Sequence, residues 1–353
     1  MLSARDRCRR GERIDMARDA ARVTIEDVAA RAGVSIATVS RAVNGRYGVS
    51  ARTMERVRVV IDELGYESSL IARSLRNHRT NVVGILVSGI EPFSAELLKG
   101  AARELQDTGF ELIVYSGGMS GQEGWERRYL SRLGGTLADG IILVTPTVVQ
   151  VATANPVVAV DPHVGGSELP TVVAQNLEGA RAAVRHLVDL GHRRIGFLAG
   201  RPDLESARNR EAGYREALAE AGIEFDPDLV RVGGFTEENA RVPSRELLTL
   251  ADRPTAVFAA NDLSAIQVLR TASELGLSVP DDLSVVGFDN IPESALVDPP
   301  LTTVDQSIQA MGRAAIRMLI GLIEHPERPL DERHVTLPTQ LVVRRSTAEV
   351  RRS

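Results

Sequence analysis

From Val82 onward the chain alternates short apolar runs, rich in β-branched residues, with amphipathic stretches of helical period. The runs Val82–Val87, Phe110–Tyr115, Gly140–Thr145, Val157–Asp161, Arg194–Gly200, Thr255–Ala259 and Leu283–Asp289 are too short for buried helices. They are also too continuously apolar for half-exposed strands, so they predict strands buried on both faces of parallel sheets. The helical stretches between them close on Thr108-Gly109-Phe110, Leu190-Gly191-His192, Ala221-Gly222-Ile223 and Leu275-Gly276-Leu277. At each of these stops a glycine in the left-handed conformation ends the helix. Strand, helix, glycine, strand is the rhythm of an α/β fold. About 265 residues of it predict two doubly wound lobes, with ligand sites beyond the carboxyl ends of the strands.

The first 80 residues follow another pattern. Residues 1–22 have no apolar period and read as a disordered basic arm, with Met1 and Met16 both available as starts. From Thr24 short helical pieces run to Leu64 and stop at Gly65-Tyr66. A polar linker follows at 67–80, carrying the amphipathic piece Leu70-Ile71-Ala72-Arg73-Ser74-Leu75. The expected organisation is an α/β protein with a small all-α domain at 23–66, a linker at 67–80, a two-lobed core at 81–345 and a tail at 346–353. Lobe 1 is expected over about 81–176 and 304–335, lobe 2 over about 177–303 and 336–345.

The small domain reads as a helix-turn-helix. Thr24 followed by Asp27 starts a helix with a capping pair, Gly33-Val34-Ser35 turns it, and Ser35 caps a second helix through Asn44. Val28, Val34 and Val39 are placed to bury where the helices cross, and Ala29 permits a close approach. The opposite face suits a major groove. Arg41 would pair with a guanine edge, Ile36 and Ala37 would meet a thymine methyl, and Thr38 and Ser40 would bind phosphate, with Thr24, Ser35 and Asn44 alongside. Two short helices around a glycine also occur in proteins that never touch DNA. Charge favours the nucleic-acid reading: residues 1–80 hold 16 Arg against 10 Asp and Glu, or +6, while the whole chain is −5, leaving −11 for the rest. A basic end on an acidic body directs only that end toward a polyanion.

Other classes fall away. No apolar run approaches the ~18 residues needed to cross a bilayer, and the N-terminal arginines lack an apolar stretch behind them, so the expected location is the cytoplasm. The one cysteine, Cys8, agrees with a reducing compartment. No Gly-x-Gly-x-x-Gly follows a strand, the sole lysine Lys99 follows Leu98 and completes no phosphate loop, and neither a His-Glu-x-x-His helix nor a Gly-x-Ser-x-Gly elbow occurs. No catalytic residue, metal or cofactor is expected. A transport-binding protein would share the lobed core, but with a leader in place of residues 24–76.

Thr24 to Gly45 resembles the opening of the LacI/GalR family of repressors almost position for position, and the likeness continues through Val49-Ser50-Ala51-Arg52-Thr53 and Gly65-Tyr66 to about Arg345. The resemblance implies a core like that of periplasmic sugar-binding proteins, closing on a small effector. It implies a homodimer on palindromic operator DNA, with further association to a tetramer left open. It also implies that Ser69 to Arg76 form a hinge helix whose leucine, here Leu75, wedges into the minor groove, although Ser68 stands where relatives often carry Pro. Ser206 to Tyr214 matches the segment whose Arg, here Arg210, reaches the ligand. Ala259-Ala260-Asn261-Asp262, Gly287-Phe288-Asp289-Asn290 and Thr302 to Gln306 match the segments supplying Asn261, Asp289 and Gln306. A carboxylate, a guanidinium and two amides suit a polyhydroxylated ligand, with Phe93 and Phe235 as flat walls. Sugar is the first expectation, with a nucleobase or sugar phosphate left open. The alternative for each polar residue is a strand-end cap or an interlobe hydrogen bond, weaker for Asn261 and Asp289, which stand at strand carboxyl ends where ligands bind in such folds. Ser88 to Ser94 is a residue shorter than the family pattern and lacks its Asn before Pro, which leaves the rim contacts there open.

Overall fold

The computed structural model describes residues 23–43, 49–64, 79–117, 124–133, 137–148, 153, 155–163, 168–327, 330 and 332–350. The chain divides into two compact units, 1–73 and 74–353. The arm, Cys8, Asn44 and the hinge segment with Leu75 lie outside the described residues.

The first unit is three helices, α1 (Ile25–Ala32), α2 (Ile36–Val43) and α3 (Ala51–Leu64). Thr24 and Asp27 close a reciprocal capping box: the Thr24 N–H donates to Asp27 Oδ2 at 2.8 Å and the Asp27 N–H to Thr24 Oγ1 at 3.3 Å. The helix stops at Gly33, whose φ of 64° lies in the left-handed region and lets the chain turn into α2. Val28, Ala29, Ala32 and Val39 pack with Val57 and Val60 of α3, and Val34 lies against the edge of this core.

The second unit carries two six-stranded sheets. One contains β1 (Val82–Val87), β2 (Glu111–Ser116), β3 (Gly140–Val144), β4 (Val157–Val160), β5 (Thr171–Ala174) and β11 (His334–Leu337), in the order β11-β5-β4-β3-β1-β2. The other contains β6 (Ile195–Ala199), β7 (Val230–Val232), β8 (Ala256–Ala259), β9 (Ser284–Asp289), β10 (Thr302–Asp305) and β12 (Gln340–Val342), in the order β12-β10-β9-β8-β6-β7. Both run in the 2-1-3-4-5 manner of a doubly wound sheet, with a final edge strand added. All pairings are parallel except β10 with β12. Each sheet defines a lobe. The chain passes between lobes after β5, after β10 and after β11.

The helices follow from the apolar stripes. In α4 (Pro92–Glu104) and α11 (Ile308–Glu324), Gly100 and Gly312 let the backbones approach so closely that a methyl group on either would fall 2.0–2.2 Å from the other helix's carbonyl oxygens. In α7 (Glu205–Glu220), Arg210, Gly213, Tyr214 and Ala217 form the buried stripe. Gly213 seats that helix on α6 (Asn176–Asp189), and the Tyr214 hydroxyl donates to the Ile195 carbonyl at 2.8 Å. The four predicted glycine stops, 109, 191, 222 and 276, all take positive φ.

The sequence pattern passes over β5, β7, β10, β11 and β12 because they are three- or four-residue strands, too short to stand out as apolar runs, and β7, β11 and β12 have no buried position at all. It also reads residues from 346 as a tail, whereas 346–350 are bound into lobe 2. Ser346 is fully buried, its Oγ donating to the Val285 carbonyl at 2.6 Å and accepting from the Thr302 N–H at 2.8 Å. The Val350 N–H reaches the Leu190 carbonyl at 3.0 Å. This segment satisfies backbone groups rather than filling a core, so it carries no apolar period to read. Among the described residues no helix is long and apolar enough to cross a membrane.

Candidate functional site

A cleft of about 310 Å³ opens between the two lobes of the second unit. Its floor is made by the carboxyl ends of the strands: Ser88 after β1, Thr145 after β3, Asp161 after β4, Arg201 after β6, Asn261 after β8, Asp289 at the end of β9 and Gln306 after β10. Strand ends of this kind leave side chains and unpaired backbone facing a ligand. Three of them are bent back: φ is 47° at Thr145, 48° at Asp161 and 117° at Asp289. For a β-branched threonine this is a costly conformation, of the kind concentrated at binding sites.

Arg210 is the hub. Its Nε donates to Asn176 Oδ1 at 2.9 Å, Nη1 to the Ala260 carbonyl at 2.5 Å and to Asp289 Oδ1 at 3.3 Å, and Nη2 to Gln306 Oε1 at 3.4 Å. The guanidinium lies 3.8 Å from the ring centre of Phe288 and 5.8 Å from that of Phe235. Gln306 Nε2 completes the cluster by donating to Asp289 Oδ1 at 2.6 Å. Asn176 follows the first interlobe passage and Gln306 opens the second, so one guanidinium ties both to the cleft.

Asp289 is held in place from behind. Asp262, fully buried, accepts from the Thr303 hydroxyl at 2.5 Å and from the Ile291 N–H at 2.9 Å, which fixes the turn that follows Asp289. Burial pushes the Asp289 carboxyl up to about 7, with Asp161 adding to the rise and Arg210 opposing it. Burial also raises Asp161, against the pull of Arg210 and of a hydrogen bond with Ser206.

Of the residues expected at the effector site, Phe93, Arg210, Phe235, Asn261, Asp289 and Gln306 all line the cleft. Asn261 caps α9 (Asp262–Glu274), its Oδ1 accepting from the Ser264 N–H at 3.0 Å while Nδ2 donates to the Phe235 carbonyl at 3.1 Å. It is therefore both a cap and a wall, with one amide hydrogen left to point elsewhere.

Sequence reasoning misses Asp161, Trp125 and His163. Asp161 has a signal, an acidic residue at the carboxyl end of a buried strand, but the pattern alone marks it only as the end of that strand. Trp125 comes from α5 (Trp125–Leu133), which is anchored by buried Glu126 accepting from the Thr147 N–H at 2.5 Å and hydroxyl at 2.9 Å. His163 bridges the lobes: its carbonyl accepts from the Glu205 N–H at 3.0 Å, and its Nδ1 lies 3.3 Å from Asp203. Burial, then Arg201, holds its imidazole below the ordinary pKa and so neutral. No sequence spacing announces either of the last two.

In the first unit, Thr24, Ser35, Ile36, Ala37 and Arg41 are exposed, and Thr38 and Ser40 are half-buried. Ser35 caps α2 by accepting from the Thr38 N–H at 3.1 Å, and Arg41 Nε donates to the Ala37 carbonyl at 3.1 Å. Ile36, at 47% exposure, is a large apolar side chain left outside the core of this unit, and Arg41 is exposed on the same helix. Among the described residues no cluster of three His, Cys, Asp or Glu could hold a metal ion.

Comparison with known proteins agrees with both halves. Residues 24–69 match the family described as bacterial regulatory proteins, lacI family, and residues 184–347 match the periplasmic binding protein-like domain. The HTH-type transcriptional repressor PurR of Photobacterium profundum is 33% identical over 338 residues, covering 93% of this chain and 99% of its own. The solved structure of a transcriptional regulator CelR–cellobiose complex aligns with a TM-score of 0.69 at 35% identity, covering 92% of this chain and 100% of that one. A lac repressor dimer bound to operator and the anti-inducer ONPF aligns with a TM-score of 0.81 at 30% identity, covering 92% and 99%.

Proposed function

Since this chain belongs to the lacI family of bacterial regulatory proteins, we propose that it is a cytoplasmic repressor that binds a palindromic operator as a homodimer and is controlled by a small effector, a sugar or sugar derivative, in the interlobe cleft. It carries out no reaction in this reading. The observation that carries it is the Arg210 hub, which joins ligand-facing groups to Asn176 and Gln306 at two of the three interlobe passages. A ligand that competes for Asp289 or Arg210 changes the forces on those passages and so the relation between the lobes. An effector with different affinity for two such arrangements shifts operator binding by a coupling energy of ~1 to 3 kcal/mol. Induction and corepression differ only in its sign.

On the DNA side, Ser35, Ile36, Ala37, Thr38, Ser40 and Arg41 form the groove-facing surface, flanked by Thr24 and Asn44. Arg41 reads guanine, Ile36 and Ala37 read thymine methyl groups, and the hydroxyls position on phosphate. Leu75 supplies a minor-groove wedge when the hinge orders on the operator. In the cleft, Arg210, Asn261, Asp289 and Gln306 take the hydroxyls, and Phe93 and Phe235 take the apolar faces of the ring. The cellobiose bound by the related CelR supports a carbohydrate ligand.

The test is fluorescence anisotropy of the full chain with duplex DNA from upstream of its own gene against scrambled DNA of equal length, at one fixed salt concentration, because phosphate contacts make affinity salt-dependent. Selective binding, shifted by a carbohydrate, is the expected result. Equal affinity for both duplexes, persisting on randomised pools with candidate ligands, refutes it.

A further inference from the structure

We propose that the cleft selects an uncharged polyhydroxylated ligand and rejects the phosphorylated or carboxylated form of the same sugar, with Asp161 and Asp289 imposing the choice. This rests on the reading of the cleft as the effector site and narrows the ligand class there.

The cations come first. A guanidinium has five N–H donors, and four of those on Arg210 are already committed to Asn176, Ala260, Asp289 and Gln306. One N–H remains, enough for a single hydroxyl oxygen and too little for the paired grip that holds a phosphate or carboxylate. Arg201, at the exposed rim, is paired with Asp203 through Nε at 3.1 Å and Nη2 at 2.6 Å, which offsets its charge although its other three N–H groups are not taken by Asp203. His163 faces the same carboxylate and is held neutral by burial. Lys99, the only lysine of the chain, bonds to Glu96 and lines no part of this cleft.

Backbone amides are withdrawn in part, one at each of the helix N-termini that face the cleft. A helix N-terminus binds anions when its first N–H groups are free. At α9 the Ser264 N–H is taken by Asn261, at α7 the Glu205 N–H is taken by the His163 carbonyl, and α4 begins with Pro92, which has no N–H. The Ile291 N–H, beside Asp289, is taken by Asp262.

Against these committed donors stand two acceptors of like charge. Asp161 and Asp289 both line the cleft, and the Asp289 side chain is 8% exposed and shares its one guanidinium with three other partners. Burial raises both carboxyls, as expected where positive charge is already short. A third carboxyl, Glu91, is raised by burial at the same rim. An anionic ligand would either meet these carboxyls ionised, as like charges, or require them to stay protonated. A hydroxyl donates to these carboxylates and accepts the one free Arg210 N–H, and the faces of Phe93, Phe235 and Trp125 suit the C–H surface of a neutral ring.

Trp125 is the only tryptophan of the chain and lines the cleft, so its fluorescence reports binding at this site. The full chain is titrated with matched pairs: glucose and glucose 6-phosphate, ribose and ribose 5-phosphate, cellobiose and cellobionate. The neutral member of the responding pair is expected to bind at least ~100-fold more tightly than its anionic partner, since an anionic group either meets these two carboxylates as like charges or must hold them protonated to enter. Asp161→Asn, nearly isosteric, is expected to narrow that gap about tenfold by removing one of them. An anionic member that binds as tightly as its partner, or more so, overturns the proposal and leaves the effector-site reading standing. A fluorescence response to none of the neutral sugars overturns both. The titration of the unaltered chain decides these outcomes whatever the variant does to folding.

Discussion

Gln306 donates its Nε2 to Asp289 Oδ1 at 2.6 Å, joining the last residue of β9 to the first residue beyond β10. Ser307 follows in the left-handed conformation, with φ of 57°, and begins the passage into α11 of the other lobe. The amide therefore reads the carboxylate on one side and the interlobe passage on the other. Replacing it, Gln306→Ala, leaves both Asp289 Oδ1 and Arg210 Nη2 short of a partner. Hydrogen bonds to charged groups contribute about 1.5–3 kcal/mol, so effector affinity is expected to fall roughly 10- to 100-fold in a Trp125 fluorescence titration. Operator affinity without effector should change by less than about threefold, because no DNA-facing group is touched. Unchanged effector affinity would place Gln306 outside the site.

The raised Asp289 carboxyl has a pH signature. Its ordinary value is 3.8 and its folded value about 7, so the folded chain holds a proton that the unfolded chain has released. The associated stability is present below pH 4 and is lost as pH rises through about 7. Asp161 and Asp262 act in the same direction. His163, His186 and His192, all lowered first by burial, act oppositely, their stability lost as pH falls. The comparison that isolates Asp289 is therefore between the unaltered chain and Asp289→Asn, both free of effector, in thermal melts from about pH 5 to 8. The variant should gain on the unaltered chain as pH rises across that range. A constant difference between the two would mean that Asp289 does not titrate there.

How far the sequence reaches is visible in this same cluster. Arg210, Asn261, Asp289 and Gln306 stand at strand ends or on a buried helical stripe, where local pattern and family likeness both mark them. Asp161 occupies an equivalent strand end but has no motif around it to mark it. Trp125 and His163 enter the cleft through tertiary contacts, from Glu126 to Thr147 and from Glu205 to the His163 carbonyl, which leave no periodic trace. The long buried strands are legible because an unbroken apolar run of that length has few other fates. The short edge strands β7, β11 and β12 are not, because their positions face water, and β2, expected to be buried on both faces, is itself an edge strand with exposed and half-exposed positions, found only because its apolar run is long.

On the DNA-facing unit, exposure and burial separate function from stability along one helix. Ile36 and Arg41 are exposed, whereas Val39 is fully buried. Ile36→Ala and Arg41→Ala should leave the melting curve of the first unit unchanged while reducing operator discrimination by ~1–3 kcal/mol per lost base contact. Val39→Ala should do the reverse at the outset, lowering stability by about 2 kcal/mol through the cavity it leaves. Circular dichroism melts paired with anisotropy on cognate and scrambled duplexes separate the two effects. An Arg41→Ala chain that keeps full discrimination would move the reading surface elsewhere.

The segment after Arg345 bears on lobe 2 in a way its polar sequence hides. Ser346 Oγ serves the Val285 carbonyl and the Thr302 N–H, the Ser346 carbonyl accepts the Val285 N–H at 2.8 Å, and the Ala348 carbonyl meets His192 Nε2 at 3.1 Å. These partners lie on β9 and β10 or at the end of α6, the elements that present Asp289 and Gln306. Ser346→Ala strands two buried backbone groups at about 1–3 kcal/mol each, which for a unit of this size lowers Tm by roughly 2–4 °C per kcal/mol. Truncation after Arg345 removes the whole set and should lower the urea midpoint further while also weakening effector binding, because Asp289 and Gln306 sit on the strands it releases. A truncated chain with an unchanged midpoint would show that β9 and β10 hold their positions without this cover.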